Sequence, residues 1–223
     1  MIGFFSMATL ATFAIKPNTS SGVNWSSDFH GANYAWGPLA GDSRTAGSTP
    51  PATSFPQMKA LGFNLISVYF RWQMYLNNPS AYLSTLKEIA SNADANGISV
   101  VYSPNYNTDP PNCIANAYSD NIGYWNALLT NGANQCGTPT WTLNEQLWAA
   151  VIGAVDSYSS TLGYGITTEP QVPSCNISML QKYHTHFGQY IRSLSSKSIV
   201  WMGPYQALSA FGVGGGACSV TYN

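Results

Sequence analysis

The chain has 223 residues, only 8% of them charged, and a net charge of -1. Eight basic and nine acidic side chains leave no basic patch for nucleic acid and no acidic tail, so an electrostatic partner is not expected. The length permits a substantial core in one globular domain, and Ser, Thr, Asn, Gln and Tyr must supply most of the polar surface.

The first 21 residues form an apolar N-terminal segment, and residues 22–223 read as the domain proper. "MIGFFSMATLATFAIKP" is short of the about 20 apolar residues that a membrane span needs, so no stable span is expected. It fits a signal-peptide core better, yet it has no basic leader and no A-x-A cleavage site. Either the start is late or the likeness is accidental. The polar, aromatic-rich composition and the triplets at Asn18, Asn24 and Asn176 are compatible with an extracellular, glycosylated protein.

Beyond residue 22, strand-like runs alternate with amphipathic helical patterns. "GVNW" (22–25) is the first candidate strand. "TSFPQMKALG" predicts a short helix capped by Thr53 or Ser54, with Pro56 in its first turn and Gly62 closing it. "FNLISVYF" (63–70) is a buried strand. In residues 80–97, Leu83, Leu86, Ile89, Ala90 and Ala93 share one helical face that ends at Gly97.

"ISVVYSPNY" (98–106) is the third strand. The next helix opens with Thr142 and Glu145 at capping-box spacing and leads into the strand "YGITTEPQ". A helix from Ser178, with Gln181 at the same spacing, precedes the last strand, "SIVWMGPYQ" (198–206). Strand starts near 63 and 98 lie 35 residues apart, as do those near 164 and 199, with an inserted loop from about 104 to 141 between the pairs. This rhythm predicts right-handed βαβ units and a parallel sheet of five strands. A closed (β/α)₈ barrel needs eight, typically over about 250 residues.

Cys113, Cys136, Cys175 and Cys218 fall in loop-like stretches without a C-x-x-C pair or a histidine cluster, which argues against zinc and for two disulfides. Three pairings are possible. Cys113 with Cys136 and Cys175 with Cys218 is favoured because each pair staples neighbouring loops. No metal and no other cofactor is expected. His184 and His186 stand two residues apart on a helix and so face different ways, which suits surface or packing roles. Glu88 and Asp156 read as helix-surface charges.

Chemistry in parallel α/β proteins gathers at the carboxyl ends of strands, where Glu169 stands before Pro170. "YGITTEPQ" resembles the strand-four motif of the retaining eight-fold-barrel glycosidases, the family 5 cellulases in particular, whose usual form is close to G-Y-E-I-L-N-E-P. "GVNW", "LGFNLISVYFRWQ" and "ANGISVVYSPNYN" resemble that family's first three strands, and the likeness spans about residues 22–206. It implies a TIM-type barrel, incomplete here with about five of eight βα units, that acts on a β-linked polysaccharide or oligosaccharide.

The resemblance makes Glu169 the general acid/base. It also calls for a second carboxylate as nucleophile at the end of strand seven, about 5–5.5 Å from the first. No Asp or Glu follows Glu169 in the sequence, and neither Asp28 nor Asp109 matches the nucleophile position. The supporting positions depart as well. Ser67 stands at the family's arginine, with Arg71 four residues on; Asn105 stands in the histidine place; Thr168 replaces the asparagine that binds the sugar 2-hydroxyl. Trp25, Trp72 and Tyr205 are candidate platforms for sugar rings, Tyr69 and Tyr106 are further aromatics near strand ends, and Trp201 reads as core. His30, placed after the first strand, is a candidate cleft residue.

Two functions follow as expectations. One is a cellulase-like hydrolase with the remaining strands cut off or supplied elsewhere. The other is a secreted, non-catalytic descendant that binds glycans or builds a surface layer. A small, complete α/β protein of distant kinship is a third possibility.

Overall fold

The computed structural model describes residues 29–34, 50–70, 75, 76, 78–104, 127–132, 139–168 and 177–200. They form five strands, β1 (Gly31–Tyr34), β2 (Leu65–Phe70), β3 (Ser99–Pro104), β4 (Thr161–Gly165) and β5 (Ser198–Val200), with four helices between them. The helices are α1 (Pro51–Ala60), α2 (Pro79–Asn96), α3 (Thr140–Val155) and α4 (Ile177–Leu194). All strand pairs are parallel and the spatial order follows the sequence, β1-β2-β3-β4-β5. That sequential order is the order of a barrel wall rather than of a doubly wound sheet.

Side chains alternate across a strand, and the register lines them into rows. Tyr34, Val68, Tyr102, Tyr164 and Ile199 form one row across all five strands. This face carries the helices: Tyr34 meets Phe55 of α1 edge to face at 5.2 Å, and Trp148 of α3 does the same with Phe70 at 4.9 Å and Tyr164 at 5.9 Å. The neighbouring row, Asn33, Ser67, Val101, Gly163 and Ser198, lies on the opposite face. That face is small and polar, and Tyr69 there donates its hydroxyl to Asn33 Oδ1 at 3.2 Å.

The first strand differs from the expected one. Residues 22–25 lie outside the described residues, and the strand paired with β2 is Gly31–Tyr34. Helix α1 also begins earlier than its polar residues indicate. Pro50 and Pro51 open it, so Thr53 and Ser54 lie inside, and Pro56 falls in the second turn. Ser54 Oγ instead bonds the Pro50 carbonyl and the Tyr34 hydroxyl, each at 3.1 Å.

Helix α2 follows its periodicity closely. Asn78 Oδ1 caps it by accepting from Ala81 N, and Tyr82, Leu86, Ile89, Ala90 and Ala93 are buried, with Leu83 packed partly beside them. Gly97 closes it at φ +61°, a left-handed conformation that costs a residue with a Cβ about 1–2 kcal/mol. The amide of Ile98 reaches back to the Ala93 carbonyl and that of Gly97 to Asp94, a Schellman ending that turns the chain directly into β3.

At the amino ends of the strands, two aspartates tie the layers together. Asp94 of α2 accepts hydrogen bonds from the Ser160 amide and from Ser159 Oγ, and Ser160 Oγ donates to the Ala90 carbonyl. Desolvation works against this carboxylate, but the hydrogen bonds from Ser160 and Ser159 outweigh it and hold its pKa below the usual value. Its stabilisation is therefore complete above about pH 4, the unfolded range, and fades as pH falls through the lower folded pKa. Asp156 accepts from Tyr164 OH at 2.8 Å and from Ser195 Oγ, so it joins α3, β4 and the α4–β5 turn rather than serving as a surface charge.

β4 and β5 approach closely at Gly163, where an added Cβ would collide with the Ser198 carbonyl. Gly163→Ala is expected to destabilise the fold by about 1–3 kcal/mol, read as a lower urea midpoint with an unchanged slope; an unaltered midpoint would contradict this packing.

Candidate functional site

β4 delivers its chain to the carboxyl edge of the sheet. After Gly165, residues Ile166, Thr167 and Thr168 continue at 7%, 0% and 6% exposure. The first two of them meet α4. Ile166 lies where Gly188 of α4 leaves room, a Cβ there meeting Ile166 Cδ1 at 3.6 Å. One turn earlier, His184 Nε2 shares a 3.0 Å hydrogen bond with Thr167 Oγ1.

His184 is held neutral by burial, which pushes its pKa down to about 4. Thr168 differs from its neighbour. Its hydroxyl is buried and has no hydrogen-bond partner among the described residues. A buried hydroxyl without a partner costs about 1–3 kcal/mol, and such a group calls for an explanation such as a ligand. The next residue in the chain is Glu169, which lies outside the described residues.

The other sequence-derived candidates divide by position. Trp25, Trp72, Asn105, Tyr106 and Tyr205 lie outside the described residues, as do Trp201, Asp28, Asp109, Arg71 and the cysteines Cys113, Cys136, Cys175 and Cys218. Ser67 and Tyr69 are on the polar face of β2. His30 is a correction. It precedes β1, so it stands at the amino end of the sheet; its amide donates to Asn64 Oδ1 at 2.8 Å and its carbonyl accepts from Asn64 N at 3.0 Å. β1 separates it from the carboxyl edge by about 13 Å at about 3.3 Å per residue.

His186 and Glu145 also differ from expectation. Thr142 and Glu145 fall inside α3, whose start at Pro139 carries no side-chain cap. Glu145 Oε1 instead bonds His186 Nε2 at 2.7 Å, and the imidazole stacks on Trp141 at 4.3 Å. Trp141 and His186, with Gln181, Lys182 and Gln189, line an open groove of about 500 Å³ on the outer helical layer. The two histidines thus serve different neighbours, as their spacing predicts. Among the described residues no group of His, Cys, Asp and Glu is arranged to hold a metal, and no helix is long and apolar enough to cross a membrane.

Sequential parallel strands, helices on one face and a buried polar strand-four exit agree with the comparison to protein families. The family model for cellulase (glycosyl hydrolase family 5) matches residues 24–212. The chain belongs to glycosyl hydrolase family 5. No curated protein sequence matches it.

Solved structures agree on the fold. An endoglucanase from Pseudomonas stutzeri superposes with a TM-score of 0.51 at 18% identity, over 75% of this chain and 49% of that one. An endocellulase from Pyrococcus horikoshii, solved with cellotetraose, gives 0.52 at 14% identity over 77% and 50%. An endo-β-1,4-mannanase from Thermotoga petrophila gives 0.52 at 11% identity over 77% and 42%. The chain therefore spans about half the length of the family 5 structures it matches, and its five strands are part of a TIM-type barrel.

Because the folded pKa of His184 lies below its unfolded value of 6.5, its neutral form stabilises the fold fully above pH 6.5 and loses this contribution as pH falls toward 4. Urea unfolding of the wild type should lose up to about 1.4 kcal/mol per pH unit across that window from this group. His184→Gln should flatten the slope, and equal slopes in both proteins would contradict a buried neutral His184.

Proposed function

We propose that this family 5 domain binds a β-linked glucan or mannan at the carboxyl edge of its sheet, with Glu169 as the general acid/base of retaining hydrolysis. The observation that carries the reading is the end of β4: a buried Thr168 hydroxyl with no hydrogen-bond partner among the described residues, next in sequence to the Glu-Pro pair. In this reading Thr168 meets a sugar hydroxyl, and Glu169 protonates the glycosidic oxygen and then activates water. Asn105, Trp25, Trp72, Tyr106 and Tyr205 are proposed to line the same cleft. Support comes from the family assignment and from the cellulase and mannanase folds among the neighbours. Export to the extracellular space remains part of the proposal, on composition alone.

The reaction also needs a carboxylate nucleophile, which no residue after Glu169 in this sequence provides. Ser67, Asn105 and Thr168 at three supporting positions, together with the low charge, favour a second reading, a glycan-binding domain without turnover. Azide separates the two. As a small external nucleophile it attacks the anomeric carbon and forms the C–N bond as the C–O bond breaks, and the leaving oxygen takes its proton from Glu169.

With phenyl β-cellobioside, the chain should release phenol only when azide is present. Glu169→Gln should lower that rate about 10²-fold or more, the usual worth of a general acid. Azide-independent background alone, the same in both proteins, would remove the catalytic role and leave the binding reading.

A further inference from the structure

The end of β4 is held by one side chain that belongs to no sugar-contacting set, the imidazole of His184. We propose that His184 is a positioning residue: by hydrogen bonding Thr167 from α4, it fixes the backbone that presents Thr168 to the ligand. The proposal rests on the reading of this strand end as the glycan site.

Three observations converge on it. Thr167 is fully buried, and its hydroxyl reaches His184 across the β4–α4 layer at 3.0 Å. Thr168 follows it directly and is the neighbour whose hydroxyl is buried without a partner. This contact is reinforced one helical turn away, where the glycine at 188 admits Ile166 against α4. Residues 166 and 167 are thereby docked on one face of α4, since positions 184 and 188 are four apart.

The arrangement also explains why a histidine suits the place. A neutral imidazole offers one donor and one acceptor, so it satisfies a buried threonine hydroxyl in whichever direction that hydroxyl points. A lysine or carboxylate would bring a charge into this buried contact with Thr167, without a partner to offset its desolvation. Burial keeps His184 in the neutral form.

The test follows Thr168 directly and the ligand separately. In the 223-residue chain, Thr167→Val should shift the Thr168 methyl resonance and weaken cellotetraose binding about tenfold, and His184→Phe should do the same. Thr167→Ser, which keeps the hydroxyl, should restore both. A Thr168 resonance unmoved in the Val and Phe variants overturns the proposal, as does a Ser variant no better than Val. If the wild type does not bind cellotetraose while the Thr168 resonance still responds and recovers, the glycan reading fails and the positioning role stands. Measurable and equal cellotetraose affinity in all four proteins removes the role.

Discussion

The structure depends on the interlock of Trp148 with Phe70 and Tyr164. One indole from α3 meets β2 and β4 edge to face and spans β3 between them, so the spacing of three strands follows from the placement of one side chain. Replacing a buried tryptophan by alanine typically costs about 3–5 kcal/mol, a large part of the about 5–15 kcal/mol available to a domain. The row Tyr34, Val68, Tyr102, Tyr164 and Ile199 extends the same contact to every strand. With one face committed to helices, the other is left for small and polar residues, and the strand ends become the place where polar groups gather.

A chain with few charges must use them sparingly, and here three of the four described acidic groups work between layers. Asp94 joins α2 to the turn before β4, Asp156 joins α3 to β4 and the α4–β5 turn, and Glu145 joins α3 to α4 through His186. Asp94 and Asp156 act at the amino ends of the strands, the side on which barrel proteins keep stability rather than chemistry. Among the described residues, the carboxyl end of β4 carries neutral groups, Thr167 and Thr168, with His184 beside them.

Much of this was legible in the sequence because hydrophobic period and glycine punctuation are local signals. Leu86, Ile89, Ala90 and Ala93 read as a buried stripe, and Gly97 read as the end of it, since both depend only on neighbours within a few turns. β1 was missed because "GANY" is four residues long and only Ala32 and Tyr34 mark its buried side. Misplacing it put His30 at the wrong end of the sheet. Thr53 or Ser54 as a cap and the capping-box spacing at Thr142 misled because Pro50 and Pro139 stand at the starts of those helices instead. The partners of His184, Glu145 and Asp156 come from distant segments, and no pattern along the chain encodes a contact 17, 41 or 39 residues away. The family was readable from the Glu-Pro motif in its strand order, whereas the unpartnered hydroxyl of Thr168 needed the fold.

The central claim is that the buried end of β4 is a glycan site, with Thr168 as the group that waits for a sugar hydroxyl. A crystal structure of the chain with cellotetraose tests it most directly. The account predicts a glucosyl unit at the carboxyl edge of the sheet, with a hydroxyl within hydrogen-bond distance of Thr168 Oγ1 and the Glu169 carboxylate facing the glycosidic oxygen. Cellotetraose bound only elsewhere, such as in the outer groove beside Trp141, with Thr168 still unpartnered, would contradict it.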